Sequence, residues 1–246
     1  MNYQIHRLET CPSTNDVARE MALRGAPEGT AVVSDEQTAG RGTKGRSWQS
    51  PRGKGLYFSV ILRPVSGEIS LLPLAAGLAA REAVERSHGL AARLRWPNDI
   101  LWQGKKLGGV LCESGFLGNR PEYVILGVGL NVDHDLDDFP EDIRALAVSV
   151  RMATQRPTDR ERLLGLLLAE IERWRDVFSG PAGGDEIVRT FERHSIFRKG
   201  DPVTVIKDDE RIQGVYHGVG YDGALSVLVE SDIRRFTSAD IIKVDA

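Results

Sequence analysis

Cysteine is nearly absent from this chain. Only Cys11 and Cys112 occur in 246 residues, and neither has a His or a second Cys at the spacing of metal ligands. Disulfide frameworks and zinc sites both need clustered cysteines, so the sequence favours neither. We expect two free thiols.

Long hydrophobic runs are missing as well. No apolar stretch approaches the roughly 18 residues of a membrane span, and Met1–His6 lacks the basic flank and apolar core of a signal peptide. The net charge is -3 at pH 7, which gives no broad positive field for nucleic acid or for a membrane surface. We therefore expect a cytoplasmic protein that binds neither.

The sequence also lacks a histidine that lies within a recognisable catalytic motif. The chain has five histidines, and none of them falls into a Ser-His-Asp pattern that we can assemble. We expect any catalysis to depend on positioning and charge.

The most informative feature that is present is a glycine- and cation-rich segment within Gln37–Trp48. Three glycines and three cations occupy seven consecutive positions, 40 to 46. Glycines let backbone N–H groups converge on one point, and the cations add charge that apolar packing does not explain. The segment predicts a loop for a phosphate-bearing ligand.

The same glycines match other motifs in part. They fit the dinucleotide fingerprint, and they nearly fit a P-loop except for Arg46, where that motif has Lys. Both motifs require a helix directly after the glycines, whereas Pro51 and a predicted strand at Leu56 follow here. A kinase glycine loop does lie between strands, but the other kinase motifs are absent. A solvated, flexible hairpin stays open as an alternative.

A second polar cluster is Arg95–Asp99, followed by Lys105–Val110. Pro97 favours an extended Trp96, and the Asn-Asp pair supplies an amide and a carboxylate in a turn. Alone, this is also what an ordinary hairpin with an Asx turn contains. Together with the glycine-rich loop, it provides a guanidinium, a lysine and a carboxylate able to hold magnesium or take a proton. Those groups suit attack of a carboxylate on a nucleotide α-phosphate.

The pattern of apolar residues predicts an α+β fold. Helices are expected over about 14–24, 70–86, 158–178 and 187–193, the third capped by Thr158, and strands over 31–34, 56–62, 92–96, 100–102, 110–113 and 123–132. After Gly200, four or five short strands predict a small all-β barrel.

At this point the residues resemble the biotin protein ligase family. Five motifs occur in that family's order and approximate spacing: Ser13–Asn15, Gly40–Trp48, Trp96–Asp99, Lys106–Gly109 and Gly127–Val132. The resemblance covers nearly the whole chain. It implies a class II synthetase-like mixed sheet with helices over residues 1–195, and a small SH3-like C-terminal β-barrel over 196–246.

The resemblance also implies a two-step reaction. Biotin and MgATP give biotinyl-5'-AMP and pyrophosphate, and the biotinyl group then passes to a lysine of a biotin carboxyl carrier domain in a biotin-dependent carboxylase. Because the chain starts directly at the catalytic region, we expect the monofunctional form without an N-terminal DNA-binding domain. A homodimer is compatible with the resemblance.

The family's motifs assign roles to individual residues. The predicted biotin-binding residues are Ser13, Thr14, Asn15, Gln37, Gly40, Arg41, Gly42, Thr43, Lys106 and Gly109. The predicted ATP-binding residues are Arg41, Arg46, Trp48, Asn98, Lys106 and Asn131. Arg41, Lys106 and Asp99 are the predicted catalytic residues. Asp99 is also the predicted magnesium ligand, and its chemistry suits deprotonation of the acceptor lysine.

One position departs from the family pattern. Where many members carry a second Arg after Gly-Arg-Gly, this chain has Thr43. The change removes a cation that would hold the adenylate, so we expect weaker retention of the intermediate. We also expect the loop to fold over biotin on binding.

Two other functions compete with biotin ligation. A lipoate protein ligase has a related fold and the same adenylate chemistry, but the combined Gly-Arg-Gly and Trp-Pro-Asn-Asp motifs favour biotin. A non-catalytic biotin- or nucleotide-binding regulator would not need both Arg41 and Lys106, because neither is required to bind a neutral ring.

Overall fold

A seven-stranded mixed sheet forms the larger part of the molecule, seen in a computed structural model that describes residues 1–63, 67–208 and 210–244. Its strands are β1 (Gln4–Cys11), β2 (Thr30–Gln37), β3 (Gly55–Leu62), β4 (Arg93–Arg95), β5 (Asp99–Trp102), β6 (Lys105–Leu117) and β7 (Arg120–Asn131). The order across the sheet is β1-β2-β3-β7-β6-β5-β4. β1 and β2 are parallel, and all other neighbours are antiparallel.

Helices cover both faces of this sheet. They are α1 (Thr14–Leu23), α2 (Leu72–His88), α3 (Val150–Thr154), α4 (Arg160–Phe178) and α5 (Gly183–His194). Side chains alternate along a strand, so Ile61 packs with Ala18 and Ala22 of α1, whereas Val60 and Leu62 join the core that contains α2 and α4. Burial on both faces explains the continuous apolar run of β3. None of the described helices has the length and apolarity that crossing a membrane requires.

The C-terminal strands form a second sheet, which is antiparallel throughout. They are β8 (Pro202–Lys207), β9 (Glu210–Val219), β10 (Leu225–Val229), β11 (Asp232–Phe236) and β12 (Asp240–Lys243), in the order β11-β10-β9-β8-β12. The predicted strands are confirmed, but β11 and β12 lie at opposite edges, so over the described residues the sheet is open rather than closed into a barrel. Residues 209, 245 and 246 of the predicted C-terminal domain lie outside the described residues.

The two sheets share a continuous apolar core. Phe197 is fully buried and stacks on Tyr216 with ring centroids 5.4 Å apart, and Trp96 Nε1 donates to the Gly223 carbonyl over 2.9 Å. The predicted boundary between residues 195 and 196 falls in this connected region and stays a prediction.

Several element boundaries differ from those predicted. The cap of α4 is Asp159 and not Thr158, because the Asp159 carboxylate accepts from the Arg162 backbone N–H over 3.0 Å. Helix α5 begins at Gly183, since its glycines continue into a helix instead of ending in a loop. The short helix α3, capped by Ser149, was not predicted.

Candidate active site

A cavity of about 340 Å³ lies beneath the glycine-rich segment. All of the predicted site residues except Gly40 line it: Ser13, Thr14, Asn15, Gln37, Arg41, Gly42, Thr43, Arg46, Trp48, Asn98, Asp99, Lys106, Gly109 and Asn131. Gly40 has no room for a side chain, because a Cβ there would lie 2.4 Å from the Trp48 carbonyl oxygen. Motifs from six separate parts of the chain thus meet at one place.

The glycine-rich segment is a hairpin. The Gly42 N–H donates to the Arg46 carbonyl over 2.7 Å, and the Trp48 N–H donates to the Gly40 carbonyl over 2.8 Å. Lys44 at the tip has φ +57°, in the left-handed region. The hairpin alternative is therefore right about the local geometry and about the exposed tip, but the segment also lines a cavity.

One end of the cavity holds a network of neutral polar groups around the start of α1. The Thr14 backbone N–H and hydroxyl both donate to Gln37 Oε1, over 2.8 and 3.2 Å. Ser59 Oγ lies 2.6 Å from Asn15 Oδ1 and 2.7 Å from Thr14 Oγ1. Ser59 is fully buried on β3 and was not predicted. A serine inside an otherwise apolar strand was the available signal.

The glycines of β7 make room for two of these side chains. A Cβ on Gly127 would lie 2.1 Å from Asn15 Oδ1, and a Cβ on Gly129 would lie 2.6 Å from Trp48 Nε1. Real structures essentially never show such distances, so any larger residue would displace Asn15 or Trp48. The close approach that these glycines allow is made by the protein's own side chains.

Arg41 is held at the same end by two carboxylates. Its guanidinium donates to Glu113 over 2.9 and 2.8 Å and to Asp16 over 2.8 Å. Glu113 also accepts from Asn15 Nδ2 over 2.7 Å. Burial alone would raise the pKa of Glu113. The hydrogen bonds from Arg41 and Asn15, with the charge of Arg41, outweigh that effect, so the pKa of Glu113 lies below its usual value. Glu113 thereby ties the hairpin and α1 to β6.

A second group of charges lies at the other end, on β5 and β6. Lys106 Nζ lies 2.6 Å from Asp99 Oδ1, and Arg95 Nη2 lies 2.5 Å from Asp99 Oδ2. The Asp99 side chain is only 12% exposed, and each of its oxygens faces a cation. The Lys106 ammonium also lies 5.5 Å from the centroid of the Trp48 ring. Asp99 therefore fixes the direction of the Lys106 side chain.

Three of the predicted ATP-binding residues, Asn98, Asn131 and Trp48, differ in whether their side-chain N–H groups are hydrogen-bonded within the protein. Asn98 Nδ2 donates to the Val110 carbonyl over 2.8 Å, and Asn131 Nδ2 donates to the Val148 carbonyl over 3.1 Å. Trp48 Nε1 is buried and has no hydrogen-bond partner among the described residues. This N–H packs against Gly129 of β7, where an added Cβ would lie 2.6 Å from Nε1.

An apolar wall of the cavity was not predicted. Phe139, Ile143, Leu146 and Ala147 line it from the irregular segment that precedes α3. No helix, strand or site residue was predicted in this segment. Irregular segments carry no periodic pattern, so a binding wall built from one gives little signal in advance.

Asp99 is the one carboxylate among the described residues that line the cavity. No group of three or more His, Cys, Asp or Glu side chains in the described part of the chain is arranged to hold a metal ion. Both cysteines are free thiols, as expected.

Comparison with known sequences decides the family. The sequence model of the Biotin/lipoate A/B protein ligase family matches residues 8–131, which carry nearly all of the cavity's predicted residues. The chain belongs to this family. The bifunctional ligase/repressor BirA of Bacillus subtilis is 35% identical over 235 residues, which span 93% of this chain and 70% of that relative. The biotin--[acetyl-CoA-carboxylase] ligase of Paracoccus denitrificans is 33% identical over 218 residues, spanning 85% and 90% of the two chains.

Solved structures of biotin protein ligases have the same fold. The biotin protein ligase from Aquifex aeolicus in complex with biotin and ATP superposes with a TM-score of 0.83 at 30% identity, over 99% of each chain. The similarity to this ligase therefore includes the second sheet as well as the cavity.

Proposed function

We propose that the cavity is the active site of a biotin protein ligase, with biotin at the Thr14–Asn15 end and ATP at the Lys106 end. The chain is a ligase, and its substrates are biotin and ATP. The observation that carries the placement is the difference between the two ends of the cavity: neutral polar side chains gather around Thr14 and Asn15, where Arg41 is already paired with two carboxylates, whereas two cations share the single carboxylate of Asp99 at the other end. A ureido ring needs neutral donors and acceptors, whereas a triphosphate needs cations.

In the first step a biotin carboxylate oxygen attacks the α-phosphorus of ATP. A P–O bond forms, the bond to the β-phosphate oxygen breaks, and pyrophosphate leaves with its electron pair. No proton moves, so catalysis needs alignment and charge rather than a base. Lys106, aimed by Asp99, stabilises the negative charge that builds on the α-phosphate.

Arg41 has two partners in the ligand-free chain, Glu113 and Asp16. An incoming biotin carboxylate or phosphate competes with them for the guanidinium. Arg41 would therefore exchange part of its carboxylate pairing for the ligand anion, which brings the two reacting groups to one cation.

In the second step the amine of an acceptor lysine attacks the carbonyl carbon of biotinyl-5'-AMP. An amide forms, AMP leaves with the electron pair of the broken bond, and the amine loses a proton. The proposed acceptor is a biotin carboxyl carrier domain, supported by the names of the relatives. Asp99 as the proton acceptor stays a proposal, and both of its oxygens already face cations.

Magnesium is the remaining proposed component. A single carboxylate that already pairs with two cations does not fit a metal site built by the protein, so we derive no step through a metal held at Asp99. Magnesium commonly reaches such enzymes on the substrate phosphates.

We also propose that the second sheet corresponds to the SH3-like domain implied by the resemblance.

The proposed function is tested by pyrophosphate exchange into ATP. Exchange should require biotin and should not occur with lipoate. Transfer should then label an apo carrier domain from a biotin-dependent carboxylase. Exchange with lipoate alone would assign the chain to the lipoate branch of the family, and exchange with neither acid would exclude adenylation at this site.

A further inference from the structure

The tip of the glycine-rich hairpin is attached to the second sheet. Lys44 Nζ lies 3.2 Å from Asp240 Oδ2, and Arg46 Nη2 lies 2.8 Å from Asp240 Oδ1. Asp240 is the first residue of β12, and its backbone pairs with Ile206 of β8. One carboxylate from the second sheet thus binds two of the three cations of the hairpin.

This attachment fixes the orientation of the Arg46 guanidinium. Nη2 donates to Asp240, and Nε donates to the Thr43 carbonyl over 3.3 Å. Nη1 has no protein partner among the described residues, and Arg46 lines the cavity. A planar guanidinium with two of its corners engaged presents the third in a set direction.

The same carboxylate supports an unfavourable backbone conformation. Lys44 is a non-glycine residue at φ +57° and ψ +34°, a region that costs roughly 1 kcal/mol or more for most residues. Burial alone would raise the pKa of Asp240. The hydrogen bonds from Arg46 and Lys44 outweigh that effect, so the pKa of Asp240 lies below its usual value. The carboxylate is therefore charged, and its attraction holds the tip at physiological pH.

We propose that Asp240 is a positioning residue of the ligase reaction, which holds the hairpin tip so that Arg46 faces the nucleotide phosphates. This inference rests on the proposed function, because it places ATP at the Arg46 side of the cavity. Asp240 touches no substrate; it acts through Arg46. The second sheet then contributes to ATP binding without lining the cavity.

The test compares Asp240→Asn with a matched control, Asp232→Asn. Asp232 lies on the same sheet at the start of β11, is exposed, and has no cation within ion-pair distance among the described residues. In pyrophosphate exchange, Asp240→Asn should raise the KM for ATP about threefold to tenfold, the range for a partly exposed pair of ion pairs. The KM for biotin should not change, and Asp240→Glu should restore part of the loss.

A double-mutant cycle separates positioning from a general effect on the fold. In an Arg46→Ala background, Asp240→Asn should add little further increase in the KM for ATP. Trypsin should also cut the ligand-free Asp240→Asn protein after Lys44 and Arg46 faster than it cuts the wild type or Asp232→Asn.

The outcomes distinguish this inference from the proposed function. A wild type without biotin-dependent exchange would contradict the proposed function. An active wild type with an unchanged KM for ATP in Asp240→Asn, or with equal increases in both backgrounds, would overturn the role of Asp240. Equal trypsin cleavage of all three proteins would overturn the attachment of the tip, whatever the activity.

Discussion

Lys106 is the residue whose environment most directly matches its proposed role. Its ammonium lies 2.6 Å from Asp99 and 5.5 Å from the centroid of the Trp48 ring, and the side chain lines the cavity, so the direction of its charge is fixed. Removing one such preorganised charge typically costs about 100-fold or more in rate.

We therefore expect Lys106→Ala to lower the rate of biotin-dependent pyrophosphate exchange by about 100-fold. Biotin binding measured by calorimetry should weaken far less, because the polar groups around Thr14 and Asn15 are intact. Lys105→Ala is the matched control, since Lys105 is the exposed neighbour in the same strand. A Lys106→Ala protein with full exchange activity would exclude Lys106 from the chemistry.

Thr43 lines the cavity where many relatives are expected to carry a cation. We expect Thr43→Arg to slow the release of biotinyl-5'-AMP, because a guanidinium there adds an ion pair to the adenylate. Release is measured by trapping the free adenylate, with Thr43→Gln as a long, uncharged control. Equal release rates of the native chain and Thr43→Arg would contradict the idea.

At this scale, residues within motifs could be predicted and their partners could not. Arg41 and Lys106 each lie close to glycines in the sequence, a pattern that indicates a ligand-binding loop. Ser59 is a single polar residue in an apolar strand, and Glu113 lies in β6 outside any motif. Their roles depend on which side chains the fold brings opposite them. Asp240 lies 194 residues from Arg46, and nothing local in its sequence relates it to the hairpin.

Strand β7 carries glycines at the two positions where side chains from other parts of the chain pack against it. Gly127 faces Asn15, and Gly129 faces Trp48, so the strand has no side chains where the site needs an amide and an indole. We expect Gly127→Ala to displace Asn15 and to raise the KM for biotin severalfold or more, because the added Cβ would meet Oδ1.

The control for that change is Gly165→Ala in α4. A Cβ at Gly165 has nothing within 4 Å, and Ala is favoured over Gly in a helix by about 1 kcal/mol. Gly165→Ala should therefore raise the thermal midpoint and leave the KM for biotin unchanged. Matching KM values for Gly127→Ala and the wild type would mean that Asn15 does not contact biotin.

Elements with a regular period were predicted well, and irregular ones were not. The apolar runs gave β3 and β7, and the Ala- and Leu-rich run gave α2, which ends at Gly89 with φ +70° as a left-handed cap. The start of α5 was missed because glycine usually marks a loop. The wall that includes Phe139 belongs to a segment without a period, so only tertiary packing defines it.

At the scale of the whole molecule, the sequence predicted two sheets but not how they cooperate. The strands of the second sheet are evident from their spacing, whereas barrel closure depends on long-range pairing and is not found over the described residues. Trp96, two residues before Asn98, donates from Nε1 to the carbonyl of Gly223 in the turn that joins β9 to β10. The two sheets therefore share a core and a polar contact next to the cavity.

That shared framework contains a buried histidine. His134 is fully buried, its ring stacks on Phe139 at 4.9 Å, and neither ring nitrogen has a partner among the described residues. Burial lowers the pKa of His134 from 6.5 to about 4. The histidine therefore packs against Phe139 of the cavity wall.

Its lowered pKa predicts a loss of stability in mild acid. Below pH 6.5 the unfolded chain takes up a proton at His134 that the folded chain does not bind until about pH 4. The free energy of unfolding should therefore fall between those two values, by on the order of 3 kcal/mol from this residue. His88 and His194 contribute with the same sign, because burial lowers the pKa of each.

Urea unfolding at pH 7.5, 6.0 and 5.0 measures this loss. His134→Phe keeps the stacking on Phe139 and removes the titrating group, so the variant should lose about 2 kcal/mol less than the wild type between pH 7.5 and 5.0. If His134→Phe and the wild type lose stability in parallel, the buried ring is not the group that takes up the proton.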